Sequence, residues 1–177
     1  IGTDKDAFLH YQDLGPQFLS YQKFLKDTIS KKQQSPSLKN FEKVNDINKM
    51  GTVDKVLTAG DLVLLQITKE PISTKGPRIS TQISLTGRFL VLIPFDNKIS
   101  VSKKVANPEE KTRLKTLIES IRPEGFGVII RTVAEGKKVA ELHNDMNQLI
   151  KKWETTFKNI QKNKVPRKIL SEEDKAS

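Results

Sequence analysis

An arginine followed by a hydroxyl side chain, Arg131-Thr132, is the pair in this sequence best suited to binding an anion. The pair directly follows the apolar run Phe126–Ile130, whose length and composition predict a buried strand. A guanidinium presents a fork of N–H donors that matches phosphate oxygens, and ligands collect at the carboxyl ends of strands in open α/β layers. Such a pair at the end of a strand suits a phosphate group. The pattern alone favours the alternative, in which Arg131 pairs with Glu124 or Glu135 and Thr132 only caps a turn.

A second group of residues that could bind a ligand is the basic connector Lys75-Gly-Pro-Arg78 together with the aromatic Phe8. An aromatic ring beside basic residues on a small barrel can stack on a base and hold the backbone of single-stranded RNA. In the alternative interpretation, Phe8 belongs to the core and the connector is simply solvated. The two histidines, His10 and His143, are too isolated in the sequence to predict general bases.

Composition and length limit what such sites can belong to. The chain has 177 residues and a net charge of +10, from 31 Lys+Arg against 21 Asp+Glu, which favours polyanionic partners such as nucleic acid. This length suits one domain or two small ones. The absence of cysteine excludes disulfides and thiolate metal sites. The sequence has no apolar run long enough to predict a membrane span, so we expect a cytoplasmic protein. The first residue is Ile1 and not Met, which indicates a fragment, a processed chain or an incomplete sequence.

A stretch of three strands, Leu64–Pro94, is predicted to form the centre of the fold. Its first strand is the apolar run Leu62–Ile67, which we expect to be buried. A connector with Pro and Gly leads to Ile79–Leu85, which alternates apolar and polar side chains, and a break at Thr86-Gly87 leads to Arg88–Ile93.

Helices and shorter strands surround this centre. The predicted helices are an amphipathic segment from Gln17 to Lys32, a weaker one from Phe41 to Met50, one capped by Asn107 that runs to about Ile121, and a long one from Lys138 to about Gln161. Short strands are predicted at Ala7–His10 and Lys98–Ser102. From Lys162 onward there is little apolar content, which predicts a tail or the start of another domain.

Several of these motifs, taken in order, resemble the ribonuclease E/G family. The resemblance covers Val63 to about Glu154, and Ala7–His10 is similar to the family's Gly-Phe-Leu-Pro strand. The matching segments are Lys69–Arg78 (KEPISTKGPR), Ile83–Leu92 (ISLTGRFLVL), Ser100–Lys104 (SVSKK), Pro123–Thr132 (PEGFGVIIRT) and Trp153-Glu154.

The resemblance implies an α+β fold with two domains. Residues 1–86 would be part of an OB-fold β-barrel that binds RNA, lacking its first strands and carrying a helical insertion at about 17–50. Residues 87–161 would be a small α/β domain, the 5′ sensor, which captures the 5′-monophosphate of RNA. Residues 162–177 would be the tail or the start of the next domain.

The resemblance also assigns roles to eight residues. Phe8 and Lys75 match the family's RNA-contacting aromatic and lysine. Lys103 and Lys104 stand where the family commonly has two arginines, and lysine keeps the charge but loses the bidentate fork. The residues implied in the 5′-phosphate pocket are Gly87, Val91, Lys103, Lys104, Arg131 and Thr132.

The resemblance implies that the chain is the RNA-binding and 5′-end-sensing part of a single-strand-specific endoribonuclease. Such an enzyme hydrolyses RNA in RNA processing and decay. The family's catalytic aspartates hold magnesium in a later domain, so we expect this chain to have no catalytic residue, metal site or cofactor and to be inactive alone. The expected partner is single-stranded RNA with a 5′-monophosphate, and the full-length enzyme could form a homo-oligomer. The alternatives are a stand-alone RNA-binding adaptor and a purely structural module.

Overall fold

Two compact units make up the part of the chain that the computed structural model describes, residues 1–162 and 168–171. The first unit comprises Ile1–Gln34, Glu42–Ile83 and the described part of Thr156–Ser177. The second unit comprises Ser35–Phe41 and Ser84–Thr155. The predicted tail or next domain falls largely on residues 163–167 and 172–177, which lie outside the described residues.

The first unit contains helix α1 (Phe18–Ile29), which confirms the predicted amphipathic helix. The second predicted helix of this region, Phe41 to Met50, is wrong, because this segment is irregular. Its backbone groups are bonded to distant residues instead of to each other. The N–H of Val44 donates to Ser20 Oγ at 2.9 Å, and the N–H of Ile47 donates to the Pro16 carbonyl at 3.0 Å. The amide N–H groups that would form the i to i−4 bonds of a helix therefore donate to distant residues.

The sheet of the first unit has two antiparallel strands, β1 (Gln66–Lys69) and β2 (Arg78–Ser80). The predicted buried strand Leu62–Ile67 is wrong, since the strand begins only at Gln66 and Ile67 is 50% exposed. A strand with a single neighbour, in so narrow a sheet, has no second layer to bury both of its faces. Neither sheet of the described residues closes into a barrel.

The predicted strand Ala7–His10 is reduced to one bridge beside β2. The N–H of Phe8 donates to the Pro77 carbonyl at 3.1 Å, and the N–H of Ile79 donates to the Phe8 carbonyl at 3.3 Å. The alternation predicted for Ile79–Leu85 is present in burial, but the pairing breaks after Ser80. The reason is that Thr81 bonds to the Asp13 carbonyl through its N–H at 2.9 Å, which takes the segment out of the ladder.

The second unit is a four-stranded sheet in the order β3-β4-β6-β5 with two helices. Strand β4 is antiparallel to both β3 and β6, whereas β5 is parallel to β6. The parallel pair is joined through α2, whose cap is as predicted: Asn107 Oδ1 accepts the N–H of Glu109 at 2.9 Å. The elements are β3 (Leu85–Thr86), β4 (Leu90–Pro94), β5 (Ile99–Val101), α2 (Pro108–Ile121), β6 (Phe126–Ile130) and α3 (Val139–Gln161).

The core of the second unit lies on one face of this sheet. Leu90 and Leu92 of β4 alternate with less buried neighbours, and in β6 the exposed Ile129 lies between the buried Val128 and Ile130. The helix residues buried in the unit are Leu114, Ile118, Leu142, Met146, Leu149 and Trp153. Three helices and two sheets in the described residues confirm the α+β class.

A short segment from the predicted insertion, Ser35–Phe41, contributes to the core of the second unit. Leu38 is only 4% exposed, and a Cβ placed on Gly125 would lie 2.5 Å from Leu38 Cβ. The indole N–H of Trp153 donates to the Pro36 carbonyl at 2.8 Å. The ring of Phe41 lies 5.1 Å from that of Phe95. Part of the insertion therefore packs as structure and does not project as a free loop.

Leu38→Ala should lower the free energy of unfolding of the second unit by about 2–5 kcal/mol, because it leaves a cavity where Leu38 meets Gly125. Trp153 is the only tryptophan, so its fluorescence during urea unfolding reports this core. The matched control is Lys39→Ala at the exposed neighbouring position, which should change little. Equal midpoints for Leu38→Ala and the wild type would show that the segment does not support this core.

Candidate anion-binding site

The segments that carry the predicted phosphate residues meet at one edge of the second unit's sheet. Leu90 pairs with Ile130, and Val101 pairs with the same Ile130, so the start of β4 lies beside the ends of β5 and β6. We call the residues that follow at this place the basic edge. It comprises Gly87–Phe89, Ser102–Lys104, Arg131, Thr132 and Lys137.

Arg131 is fixed at the basic edge by the turn between β3 and β4. Its Nη1 donates to the Gly87 carbonyl at 2.8 Å and to the Arg88 carbonyl at 3.2 Å, and its backbone N–H donates to the Phe89 carbonyl at 2.8 Å. Among the described residues Arg131 makes no ion pair, so the alternative pairing with Glu124 or Glu135 is wrong. The anchored guanidinium is exposed, and its remaining N–H groups can bind an external anion.

Thr132 is joined to the end of β5 by a hydroxyl pair. Its Oγ1 lies 2.7 Å from Ser102 Oγ, and the backbone N–H of Lys104 donates to the same Ser102 oxygen at 3.3 Å. Sequence reasoning missed Ser102. Its position directly after β5 is the signal that could have found it, because β5 and β6 are parallel and their ends meet.

Gly87 and Val91 occupy different surroundings. A Cβ on Gly87 would lie 2.6 Å from Asp145 Oδ2, so glycine is required there by a close approach of the α3 carboxylate. Val91 lies within β4, opposite Ile129 and on the face away from the buried Leu92. The structure therefore brings Gly87 against Arg131 but leaves Val91 on the less buried face of the sheet.

Four further cations surround these residues. Lys103 and Lys104 are exposed in the turn after β5 and make no ion pair among the described residues. The guanidinium of Arg88 lies 5.1 Å from the centre of the Phe89 ring, and Lys137 Nζ lies 5.6 Å from it. The sequence interpretation did not name Arg88 or Lys137. Lys137 pairs with Glu141 at 3.8 Å, and the other three side chains, Lys103, Lys104 and Arg88, give the basic edge a positive charge suited to an anion.

A carboxylate network holds the backbone beyond Thr132. Glu110 accepts from Arg113 Nη2 at 2.6 Å and from the N–H of Gly136 at 2.8 Å, and Arg113 Nη1 donates to the Lys137 carbonyl at 3.1 Å. The hydrogen bond from Arg113, followed by that from Gly136, lowers the pKa of Glu110 from 4.5 to about 2. The ionised network thus ties α2 to the turn that leads into α3.

Phe8 and Lys75, the predicted RNA-contacting residues, both lie in the first unit. Phe8 is 59% exposed and its ring stacks edge-on to His10 at 4.5 Å, so the interpretation of Phe8 as a core residue is wrong. Lys75 is exposed at the end of a tight turn whose N–H and carbonyl bond back to Ile72. A Cβ on Gly76 would clash with the Asp6 carbonyl oxygen, which shows that the segment before Phe8 runs against this connector.

Within residues 1–162 and 168–171, no group of three or more His, Asp or Glu side chains could hold a metal ion. The Asp145 carboxylate accepts three backbone N–H groups at 2.9 to 3.0 Å. No helix in the described part of the chain is long and apolar enough to cross a membrane.

Fold and site together define an α+β protein with a cationic sheet edge and an exposed aromatic beside a basic connector. Comparison with known proteins identifies it further: residues 84–177 match the Ribonuclease E/G family. The chain belongs to the ribonuclease E/G family.

Two of three curated relatives cover almost the whole chain. It is 32% identical over 171 residues to "Ribonuclease E" of Nostoc sp. (strain PCC 7120), covering 97% of this chain and 21% of that protein. It is 32% identical over 172 residues to "Ribonuclease G" of Haemophilus influenzae, covering 97% of this chain and 31% of that protein. A 39% identity to "Ribonuclease E/G-like protein, chloroplastic" of Arabidopsis thaliana extends over 94 residues, 53% of this chain and 9% of that protein. The chain thus spans a third or less of the length of these relatives.

Glu110→Gln should destabilise the chain most at neutral pH. The pKa of Glu110 in the folded state, about 2, lies below its ordinary value of 4.5, so its contribution is present above pH 4.5 and is lost as the pH falls toward 2. The difference in urea midpoint between the wild type and Glu110→Gln should therefore shrink between pH 6 and pH 3. Glu109→Gln, one residue earlier in the same helical turn, is the control and should show a smaller difference throughout. A constant difference across this pH range would contradict the network.

Proposed function

We propose that this chain is the RNA-binding and 5′-monophosphate-sensing portion of a single-strand-specific endoribonuclease. Membership of the ribonuclease E/G family supports the class of enzyme. The observation that supports the sensing role most directly is the exposed guanidinium of Arg131, which is anchored to the Gly87 and Arg88 carbonyls. The next residue, Thr132, has its hydroxyl 2.7 Å from that of Ser102.

In this proposal a terminal phosphate binds at the basic edge. Arg131 donates from the N–H groups that the Gly87 and Arg88 carbonyls do not use, and the Thr132 hydroxyl donates alongside. Lys103 and Lys104 contribute charge without the bidentate geometry of arginine. In this proposal a monophosphate would be bound by these groups, whereas the extra phosphates of a triphosphate end would have to be accommodated beyond them.

The first unit would bind the RNA strand itself. The exposed ring of Phe8 is suited to stacking on a base, and Lys75 to contacting the backbone. This assigns residues 1–86 to part of an OB-fold RNA-binding domain and residues 87–161 to the 5′-sensor domain. In this proposal the two-stranded sheet of the first unit would be one part of such a barrel.

Sensing would act by tethering. Once the 5′ end is bound, the rest of the same RNA is held at a raised effective concentration near a cleavage site elsewhere in the full-length enzyme. Magnesium would supply the cleavage chemistry in that part of the enzyme.

Arg131→Ala should weaken binding of a 5′-phosphorylated oligonucleotide by roughly 10- to 100-fold, the range for losing hydrogen bonds to a charged group. Binding of the same oligonucleotide with a 5′-hydroxyl should change by less than about threefold. Fluorescence anisotropy with both oligonucleotides at fixed salt measures this, with Arg122→Ala as a control arginine of the same unit, bonded to Asn97. Equal losses for the two oligonucleotides would exclude the sensor role.

Phe8→Ala should weaken both oligonucleotides equally, by roughly 5- to 100-fold, because base stacking does not depend on the 5′ end. Met50→Ala is the matched control, since Met50 is an exposed apolar side chain without an aromatic face. The same anisotropy assay applies. Retention of full affinity by Phe8→Ala would remove Phe8 from the RNA-binding surface.

A further inference from the structure

The carboxylate of Asp145 on α3 is buried and binds three consecutive backbone N–H groups. It is 5% exposed. Its Oδ1 accepts from Arg88 at 3.0 Å, and its Oδ2 accepts from Phe89 and Leu90, both at 2.9 Å. No ion pair of Asp145 is present in the described part of the chain, so peptide dipoles are what balance this charge.

The same turn holds Arg131 from its other side. A trans peptide group directs its N–H and its C=O in opposite directions. In the peptide between residues 87 and 88, the N–H of Arg88 binds Asp145 and the carbonyl of Gly87 binds Arg131. In the next peptide, the N–H of Phe89 binds Asp145 and the carbonyl of Arg88 binds Arg131. Two adjacent peptide groups thus connect the carboxylate to the guanidinium.

We propose that Asp145 is a positioning residue for phosphate binding, which orients the Arg131 guanidinium through these two peptide groups. The carboxylate fixes the rotation of both peptides, so both carbonyls face the guanidinium at the spacing of one Nη group. Hydrogen bonds arranged in series also polarise one another, and this strengthens the hold on Arg131. The proposal rests on the proposed function, in which Arg131 binds the 5′-phosphate.

Gly87, which has no side chain, is part of the same contact between the turn and Asp145. A Cβ there would lie 2.6 Å from Oδ2 and 2.8 Å from Oδ1 of Asp145, closer than any ordinary contact. Glycine lets the turn approach the carboxylate closely enough for all three N–H bonds. This gives a second way to perturb the contact, from the turn instead of from α3.

The test is a double-mutant cycle on the full chain with Asp145→Asn and Arg131→Ala. Asparagine keeps the shape of the side chain but replaces one acceptor oxygen by an NH2 group. Asp145→Asn should reduce the preference for a 5′-phosphorylated over a 5′-hydroxyl oligonucleotide by roughly 3- to 30-fold, the usual range for coupled neighbours. In the Arg131→Ala background it should cause no further loss of preference. An undiminished preference in Asp145→Asn, or additive losses in the double variant, would overturn the proposal.

A readout without RNA separates this proposal from the proposed function. In the ¹⁵N-labelled free chain, the guanidinium resonances of Arg131 should be protected from solvent exchange in the wild type and lose that protection in Asp145→Asn. Gln148→Ala, at an exposed position of α3, should leave them unchanged. If Arg131→Ala weakens binding of the 5′-phosphorylated and 5′-hydroxyl oligonucleotides equally, the proposed function fails. The Arg131 resonances still decide in that case whether Asp145 positions Arg131.

Should Asp145→Asn fail to fold, Gly87→Ala disturbs the same contact from the turn. It is expected to remove the exchange protection of Arg131 as well. Protection equal to the wild type in Gly87→Ala, or in a folded Asp145→Asn, would show that Arg131 is held independently of Asp145.

Discussion

The pairing of β6 with both β4 and β5 is the constraint on which the second unit depends. Because Ile130 is the partner of both Leu90 and Val101, the chain must leave the sheet at three neighbouring points of one edge. The residues just beyond those points are Arg131, the turn at Gly87 and Ser102. A shift of one residue in either pairing would turn the buried side chains outward and separate these groups. The apolar pattern of β4 and β6 therefore fixes the composition of the basic edge.

Polar contacts then hold the backbone of the basic edge in position. The turn between β3 and β4 has no regular structure of its own, yet every N–H from Gly87 to Leu90 has a partner: Asp145 takes three of them and the Leu90 carbonyl takes that of Gly87, at 2.7 Å. On the far side of the edge, the network of Glu110 and Arg113 holds the backbone at Gly136. Buried polar networks give a unique arrangement when all their members are satisfied. The Asp145 carboxylate is 5% exposed, and the turn that it binds contacts Arg131 through the Gly87 and Arg88 carbonyls.

Much of the second unit was predictable because its signals are local. The cap at Asn107, the apolar periodicity of α3 and the run at β6 lie within the elements that they specify. The same reasoning placed Arg131 after a buried strand, which the structure confirms. It could not find Asp145, which lies 55 to 57 residues from the N–H groups that it binds. No local pattern distinguishes that carboxylate from the other acidic residues of α3.

The errors in the first unit have the same origin. The segment from Phe41 to Met50 has a helical spacing of apolar residues, but its amides bond to Ser20 and Pro16. The run at Leu62–Ile67 has the composition of a buried strand, but only Gln66 and Ile67 belong to the two-stranded sheet and residues 62–65 are partly buried without regular structure. In both cases tertiary partners override the local preference, and a single sequence does not reveal them.

The two candidate sites differ in how firmly their cations are held, and this difference bears on what each could distinguish. Arg131 is anchored by two carbonyls before any ligand arrives, so little side-chain freedom remains to be lost when it binds a phosphate. Lys75, Lys103 and Lys104 are exposed and free of ion pairs among the described residues, and each would lose rotamer freedom on binding. An anchored fork suits recognition of one phosphate group by its geometry, whereas mobile lysines attract any phosphate backbone and do so in a salt-dependent way. Selectivity for a 5′ end would therefore depend on Arg131 and the turn behind it, and general affinity for RNA on the lysines.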